Sequence, residues 1–197
     1  MKTKDFLHRN NACMDGAKWA LSISKDMADV WEAMIKEDNS DKNQWLLWTA
    51  TREGVFPEAA LRKMACRFVR ETPIPRGRTL WDRLTDKRSR RAILTVEAYV
   101  EGNATLKELE DASEDAYEVA MDTYSAEYAA WIVPSVIPVG EYTAADAAHA
   151  VAKFALDAVA EEAILDDLYV CLDIAAARIG ALSAQARIVA SFGNPFK

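Results

Sequence analysis

The chain contains few of the residues that interrupt a fold or cross-link it. Only 7 of its 197 residues are glycine and 6 are proline, which excludes collagen-like repeats, linker-rich arrays and long disordered tracts. The three cysteines, Cys13, Cys66 and Cys171, form no CxxC pair and are typical of reduced thiols packed as small apolar side chains. This cysteine usage predicts a cytoplasmic protein.

Long uncharged apolar runs are also missing. Charged residues occur throughout the first nine positions, MKTKDFLHR, so they contain no apolar run of the length found in signal peptides. No later stretch reaches the about 20 uncharged residues that a membrane-spanning helix needs. We therefore expect neither secretion nor insertion into a membrane.

Alanine and helical periodicity dominate what is present. Alanine accounts for 35 residues and has the highest helix propensity, whereas alternating strand-like patterns are nearly absent. The sequence predicts an all-α fold, a bundle of about seven to nine helices in one domain over residues 1–197. Short helices are expected in residues 1–103 and long Ala-rich helices in residues 104–197.

Local signals place several of these helices. Three short helices are expected before residue 55, with a loop over the polar residues 36–43. Pro57 opens a helix that runs to about Glu71, and Thr105 with Glu108 forms a capping box for a helix that reaches about Trp131. Two more helices are expected, from about 143 to 159 and from about 164 to 192, with the aromatic residues of the terminal NPFK packing back onto the body.

Charge is distributed unevenly along the chain. Residues 52–91 carry 12 basic and 5 acidic side chains, whereas residues 92–173 carry 2 basic and 18 acidic ones. Two segments of opposite charge can attract each other within the fold or present separate faces to partners. The composition leaves both alternatives open, and internal pairing is the simpler.

Four carboxylates form the strongest candidate site. Asp111, Asp115, Glu118 and Asp122 follow one another at spacings of four, three and four residues, so they share one stripe of the predicted helix. The sequence suggests no compensating lysine within this stripe. A solvated helix face is the default interpretation of such a stripe, and the sharper hypothesis, which we adopt as our prediction, is a docking surface for a protein partner with a basic surface.

Three other chemistries have weaker support. Asp146 and His149 have the carboxylate-x-x-His spacing of helical metal sites, and the acidic pairs 161/162 and 166/167 contain hard-cation ligands, so a helical-bundle enzyme or metal protein stays an alternative. Arginines around Trp81 resemble a nucleic-acid footprint, which the pI of about 5.0 disfavours. The six tryptophans suggest packing anchors or an aromatic cleft, and small-residue helix faces allow self-association.

Several segments resemble a known family. The sequences LTDKRSRRA at 84–92 and VEAYVEGNAT at 96–105, with WLLW at 45–48 and FGNPF at 192–196, are similar to bacterial and phage proteins classed as immunity proteins. The resemblance covers roughly residues 5–130 and the last few. It implies an all-α protein that neutralises a toxin or effector protein by binding it, and it brings neither catalytic residues nor a cofactor.

Overall fold

Helices form most of the chain in the computed structural model, which describes residues 1–122, 144–165 and 171–197. This part contains ten α-helices: α1 (Thr3–Arg9), α2 (Met14–Ile23), α3 (Met27–Glu37), α4 (Ser40–Ala50), α5 (Glu58–Glu71), α6 (Leu80–Arg83), α7 (Lys87–Val100), α8 (Leu106–Asp122), α9 (Ala144–Leu165) and α10 (Cys171–Ser191). The all-α prediction is confirmed, although ten helices exceed the expected seven to nine.

One of the additional helices lies near the N-terminus. Four helices, not three, precede residue 55, and the loop expected over 36–43 is wrong because α3 continues to Glu37 and α4 already begins at Ser40. Asp38 reverses the chain in a left-handed conformation with φ 35°. Asn39 then caps α4, its side-chain oxygen accepting the Lys42 amide at 3.1 Å. Two residues, Asp38 and Asn39, are therefore enough to separate the two helices.

Helix α5 occupies the centre of the fold. It contacts α7, α9 and α10, and its Met64, Ala65, Phe68 and Val69 are fully buried. The Pro73–Ile74 strand (β1) follows it and pairs antiparallel with Arg78–Thr79 (β2). Arg76 and Gly77 make the turn between the strands with φ 66° and 69°. This small hairpin is the only sheet in the described residues.

Local capping sets the start of α8. The Thr105 hydroxyl oxygen accepts the Glu108 amide at 3.2 Å, and a Glu108 carboxylate oxygen accepts the Thr105 amide at 2.7 Å, which confirms the capping box. The predicted continuation to Trp131, and the turn expected around Pro134 and Pro138, lie outside the described residues.

The long Ala-rich helices α9 and α10 lie antiparallel, since Gln185 donates to the Ala152 carbonyl at 3.2 Å and Arg178 approaches Asp157 at 3.5 Å. The predicted helix end at residue 159 is wrong, because α9 continues to Leu165. Neither glycine nor proline occurs between Ala144 and Leu165 to stop it. Helix α10 also runs unbroken through Gly180.

The terminal segment packs onto the body, as the sequence predicts. The Phe196 ring contacts Phe6 and Trp31 edge-on, with centroid distances of 5.5 and 5.9 Å. The Asn194 amide donates to the Ala28 carbonyl at 2.9 Å. One cluster of buried apolar side chains extends from Phe6 to Val189 and draws on both halves of the chain. Among the described helices, none is apolar over a length that would reach across a bilayer.

Candidate functional site: the outer surface of α7 and α8

Helix α8 packs one face against the body and presents the other to solvent. Leu109, Ala112, Ala116 and Val119 are buried and recur every three or four residues, as one side of a helix does. Helix α7 is the main neighbour of α8. The side chains between these buried positions form the outer surface on which the predicted docking stripe lies.

The carboxylates of the stripe have basic neighbours from the chain itself. The Asp111 carboxylate lies 3.0 Å from Lys107 Nζ, Asp115 lies 4.0 Å from Arg91, and Glu118 lies 3.7 Å from Arg88. The expectation that no basic group compensates the stripe is therefore wrong for these three. Helix α7 runs antiparallel to α8 and brings its arginine-rich first turns beside the stripe. The Asp122 side chain lies outside the described residues.

These ion pairs are nevertheless exposed to water. The Lys107 side chain is 80% exposed, Arg91 75% and Glu118 64%. Exposed pairs of this kind contribute little to stability, about 0–1 kcal/mol each. A charged partner can therefore exchange them for its own contacts at small cost. The stripe forms a mixed-charge border between α7 and α8 rather than a purely acidic face.

A second stripe lies further out on α8. Leu106, Tyr117 and Met121 are 56%, 53% and 43% exposed, and Glu110 and Glu114 lie between them on the same face. Large apolar side chains framed by carboxylates are typical of protein-binding surfaces. The sequence predicts the neighbouring acidic stripe and not this one, although the three apolar residues recur at helical spacing away from the buried face.

The charged groups at the start of α8 are held by hydrogen bonds. A hydrogen bond to Asp111 raises the pKa of Lys107. The backbone hydrogen bond from Thr105, with its side-chain hydrogen bond, lowers the pKa of Glu108. Both groups therefore keep their charges at neutral pH, and the capping carboxylate stays ionised beside the positive end of the helix dipole.

The arginines around Trp81 are engaged within the fold. Arg70 pairs with Glu97 at 2.5 and 2.7 Å, and this hydrogen bonding raises the pKa of Arg70. The guanidinium groups of Arg70 and Arg90 lie over the Trp81 ring, 4.1 and 5.3 Å from its centroid. The indole is already stacked with cations of its own chain, which argues against its serving as a platform for nucleic-acid bases.

The metal alternative depends on side chains that the structure does not describe. Those of Asp146, His149, Glu161 and Glu162 lie outside the described part, as do the residues of the 166/167 pair. Elsewhere in residues 1–122, 144–165 and 171–197, no group of three or more His, Cys, Asp or Glu side chains is arranged to hold a metal ion.

Comparison of the chain with known proteins gives no further information on this surface. The chain matches no family model, no curated protein and no solved structure. The resemblance to immunity proteins therefore stays a prediction from the sequence.

Proposed function

We propose that this protein is a non-enzymatic binding protein that neutralises a toxin or effector protein by holding it against the outer surface of α7 and α8. The observation that carries the proposal is the exposed stripe of Leu106, Tyr117 and Met121 with Glu110 and Glu114 between them. Such a surface gives a partner apolar anchors to bury and an acidic border to orient it.

The charge of the surface indicates the chemistry of the partner. The exposed face of α8 carries Glu110, Asp111, Glu114, Asp115 and Glu118, and these carboxylates outnumber the basic groups that pair with them, Lys107 on α8 and Arg88 and Arg91 on α7. A partner with a basic surface would be attracted at long range and would associate faster as a result. Nucleases and other proteins that bind nucleic acids have basic surfaces of this kind.

The experiment is coexpression with the proteins encoded by the two reading frames that flank its gene. We expect one of them to inhibit growth alone, to be tolerated with this protein, and to copurify with it. If neither neighbouring protein is toxic and rescued by coexpression, and neither forms a complex with this protein, the proposal is overturned.

Substitutions then test the surface itself. Asp115→Lys/Glu118→Lys and, separately, Tyr117→Ala/Met121→Ala should each weaken the complex more than tenfold with unchanged helicity. The matched control for the charge reversal is Asp15→Lys/Glu53→Lys, which changes the net charge equally at exposed positions outside α7 and α8. A complex that survives both α8 variants would remove this surface from the proposed mechanism.

A further inference from the structure

A cavity of about 550 Å³ lies between the N-terminal helices and the C-terminal pair α9 and α10. Helices α1 to α4 supply one wall, and side chains of α9 and α10 supply the opposite one. Its volume falls within the range of about 300–1,000 Å³ that is usual for small-molecule sites. The cavity uses no residue of the α7 and α8 surface, so it represents a separate feature of the protein.

Two tryptophans form the apolar wall. The Trp19 and Trp45 rings both line the cavity and lie 5.4 Å apart, tilted by 46°. The Lys42 ammonium group, 4.6 Å and 4.3 Å from the two ring centroids, holds them in place. The Lys42 side chain is only 10% exposed and approaches Glu37 at 3.6 Å. A half-buried ion pair therefore contacts both rings of the aromatic wall.

A glycine allows α2 to approach this wall closely. A Cβ atom at Gly16 would lie 3.1 Å from Cys13 Sγ and 3.4 Å from Trp45 Cε2. The first of these contacts is tighter than ordinary packing, and the second is at the limit of an ordinary van der Waals contact. The absence of a side chain at Gly16 thus lets Cys13 Sγ and the Trp45 ring both lie close to the α2 backbone.

The opposite wall is polar at its edge. Lys153, Asp157 and Arg178 all line the cavity, with Arg178 3.5 Å from Asp157 and about half exposed. Lys153 is exposed as well. Among the described residues that line the cavity, two cations accompany one carboxylate, so the charge of this edge is net positive beside a largely apolar lining. This arrangement is complementary to an elongated apolar molecule that carries one negative group.

We propose that this cavity binds a small amphipathic carboxylate of the fatty-acid type. Its apolar body lies against Trp19 and Trp45, and its carboxylate contacts Lys153 and Arg178. The proposal uses neither the docking surface on α8 nor the metal alternative that the sequence suggests for α9, so its outcome is independent of the proposed function.

The test is a titration of the full chain with sodium decanoate, in which binding is measured by calorimetry and by tryptophan fluorescence. We expect saturable binding of one decanoate per chain. The neutral decan-1-ol should bind at least fivefold more weakly, because it lacks the negative group. Absence of saturable decanoate binding would overturn the proposal, and equal binding of decan-1-ol would remove the carboxylate from it.

Variants locate the site. Lys153→Gln/Arg178→Gln should reduce decanoate affinity at least fivefold and leave decan-1-ol unaffected, whereas Arg187→Gln, at an exposed arginine of α10 outside the cavity, should change neither. Leu156→Trp should fill the space and reduce binding of both ligands more than tenfold. Its matched control is Leu94→Trp on the exposed side of α7. Unchanged binding in Leu156→Trp, with helicity preserved, would place the decanoate elsewhere and contradict the assignment.

Discussion

Burial determines the chemical state of Cys66, a residue that the sequence assigns to packing. It lies on the inner side of α5 and is 1% exposed. Burial, with a smaller contribution from the Glu97 carboxylate, raises the pKa of its thiol to about 12. The Arg70 and Arg62 guanidinium groups act in the opposite direction and do not offset this. Cys66 is therefore a protonated, unreactive thiol at neutral pH, whereas Cys13 is exposed.

We expect Cys66 to resist alkylation in the folded protein. In a Cys13→Ser/Cys171→Ser variant, iodoacetamide at pH 8 should modify Cys66 on the order of a thousandfold more slowly than in urea, because the thiolate is nearly absent. Mass spectrometry of timed samples measures both rates. The Cys66→Ser/Cys171→Ser variant, which retains Cys13, serves as the exposed control. Equal rates for Cys66 in folded and unfolded protein would contradict the burial.

The raised pKa of the Cys66 thiol also predicts a pH dependence of stability. The folded state holds this proton more tightly than the unfolded state does, so the stabilisation is complete below the ordinary thiol pKa of 9.0 and is lost as the pH rises towards about 12. Urea unfolding between pH 8 and pH 11 should show a decline in free energy of unfolding that is smaller in Cys66→Ala. An identical decline in both proteins would exclude a contribution from Cys66.

At the scale of helices, signals within a few residues predicted structure better than signals that depend on packing. The capping box at Thr105 and Glu108 was correct because both partners lie in one turn. The predicted end of α9 is about six residues too early, because no glycine or proline marks where the helix ends. Two counter-ions of the α8 stripe depend on packing, because Arg88–Glu118 and Arg91–Asp115 form only once α7 folds back antiparallel, whereas Lys107 lies four residues before Asp111 on the same helix and is already visible in the sequence. Ion pairs between helices depend on which helices pack side by side, and the spacing of charges along one helix does not reveal this.

The cap of α8 makes a prediction at this scale. Thr105→Ala removes the hydroxyl that accepts the amide at the third helical position, and we expect a loss of about 1 kcal/mol in the free energy of unfolding. Ser113→Ala, in the middle of the same helix, is the matched control and should be neutral or slightly stabilising. Urea denaturation followed by circular dichroism measures both. A loss in Ser113→Ala as large as in Thr105→Ala would show that the cap is not the cause.

Over the whole molecule, the two ends of the described chain meet in the same region. Phe196 packs on Phe6 and Trp31, Asn194 bonds to Ala28, and Lys197 lies 2.8 Å from Glu32. The hydrogen bond from Lys197 is the main cause that lowers the pKa of Glu32. The sequence predicted that the tail would pack back, because aromatic residues follow the Gly193 stop. It did not show where, since the partners lie more than 150 residues earlier.

Apolar contacts, rather than the ion pair, should account for the stability that the tail contributes. The Phe196 ring makes edge-on contacts with two buried aromatic rings, so Phe196→Ala should lower the free energy of unfolding by about 2 kcal/mol. Lys197→Ala should change it by less than about 0.5 kcal/mol, because the Lys197–Glu32 pair is exposed and screened by water and salt. Thermal unfolding at low and high salt distinguishes the two: the effect of Phe196→Ala should be independent of salt. A larger loss in Lys197→Ala than in Phe196→Ala would show that charge, not burial, attaches the tail to α1 and α3.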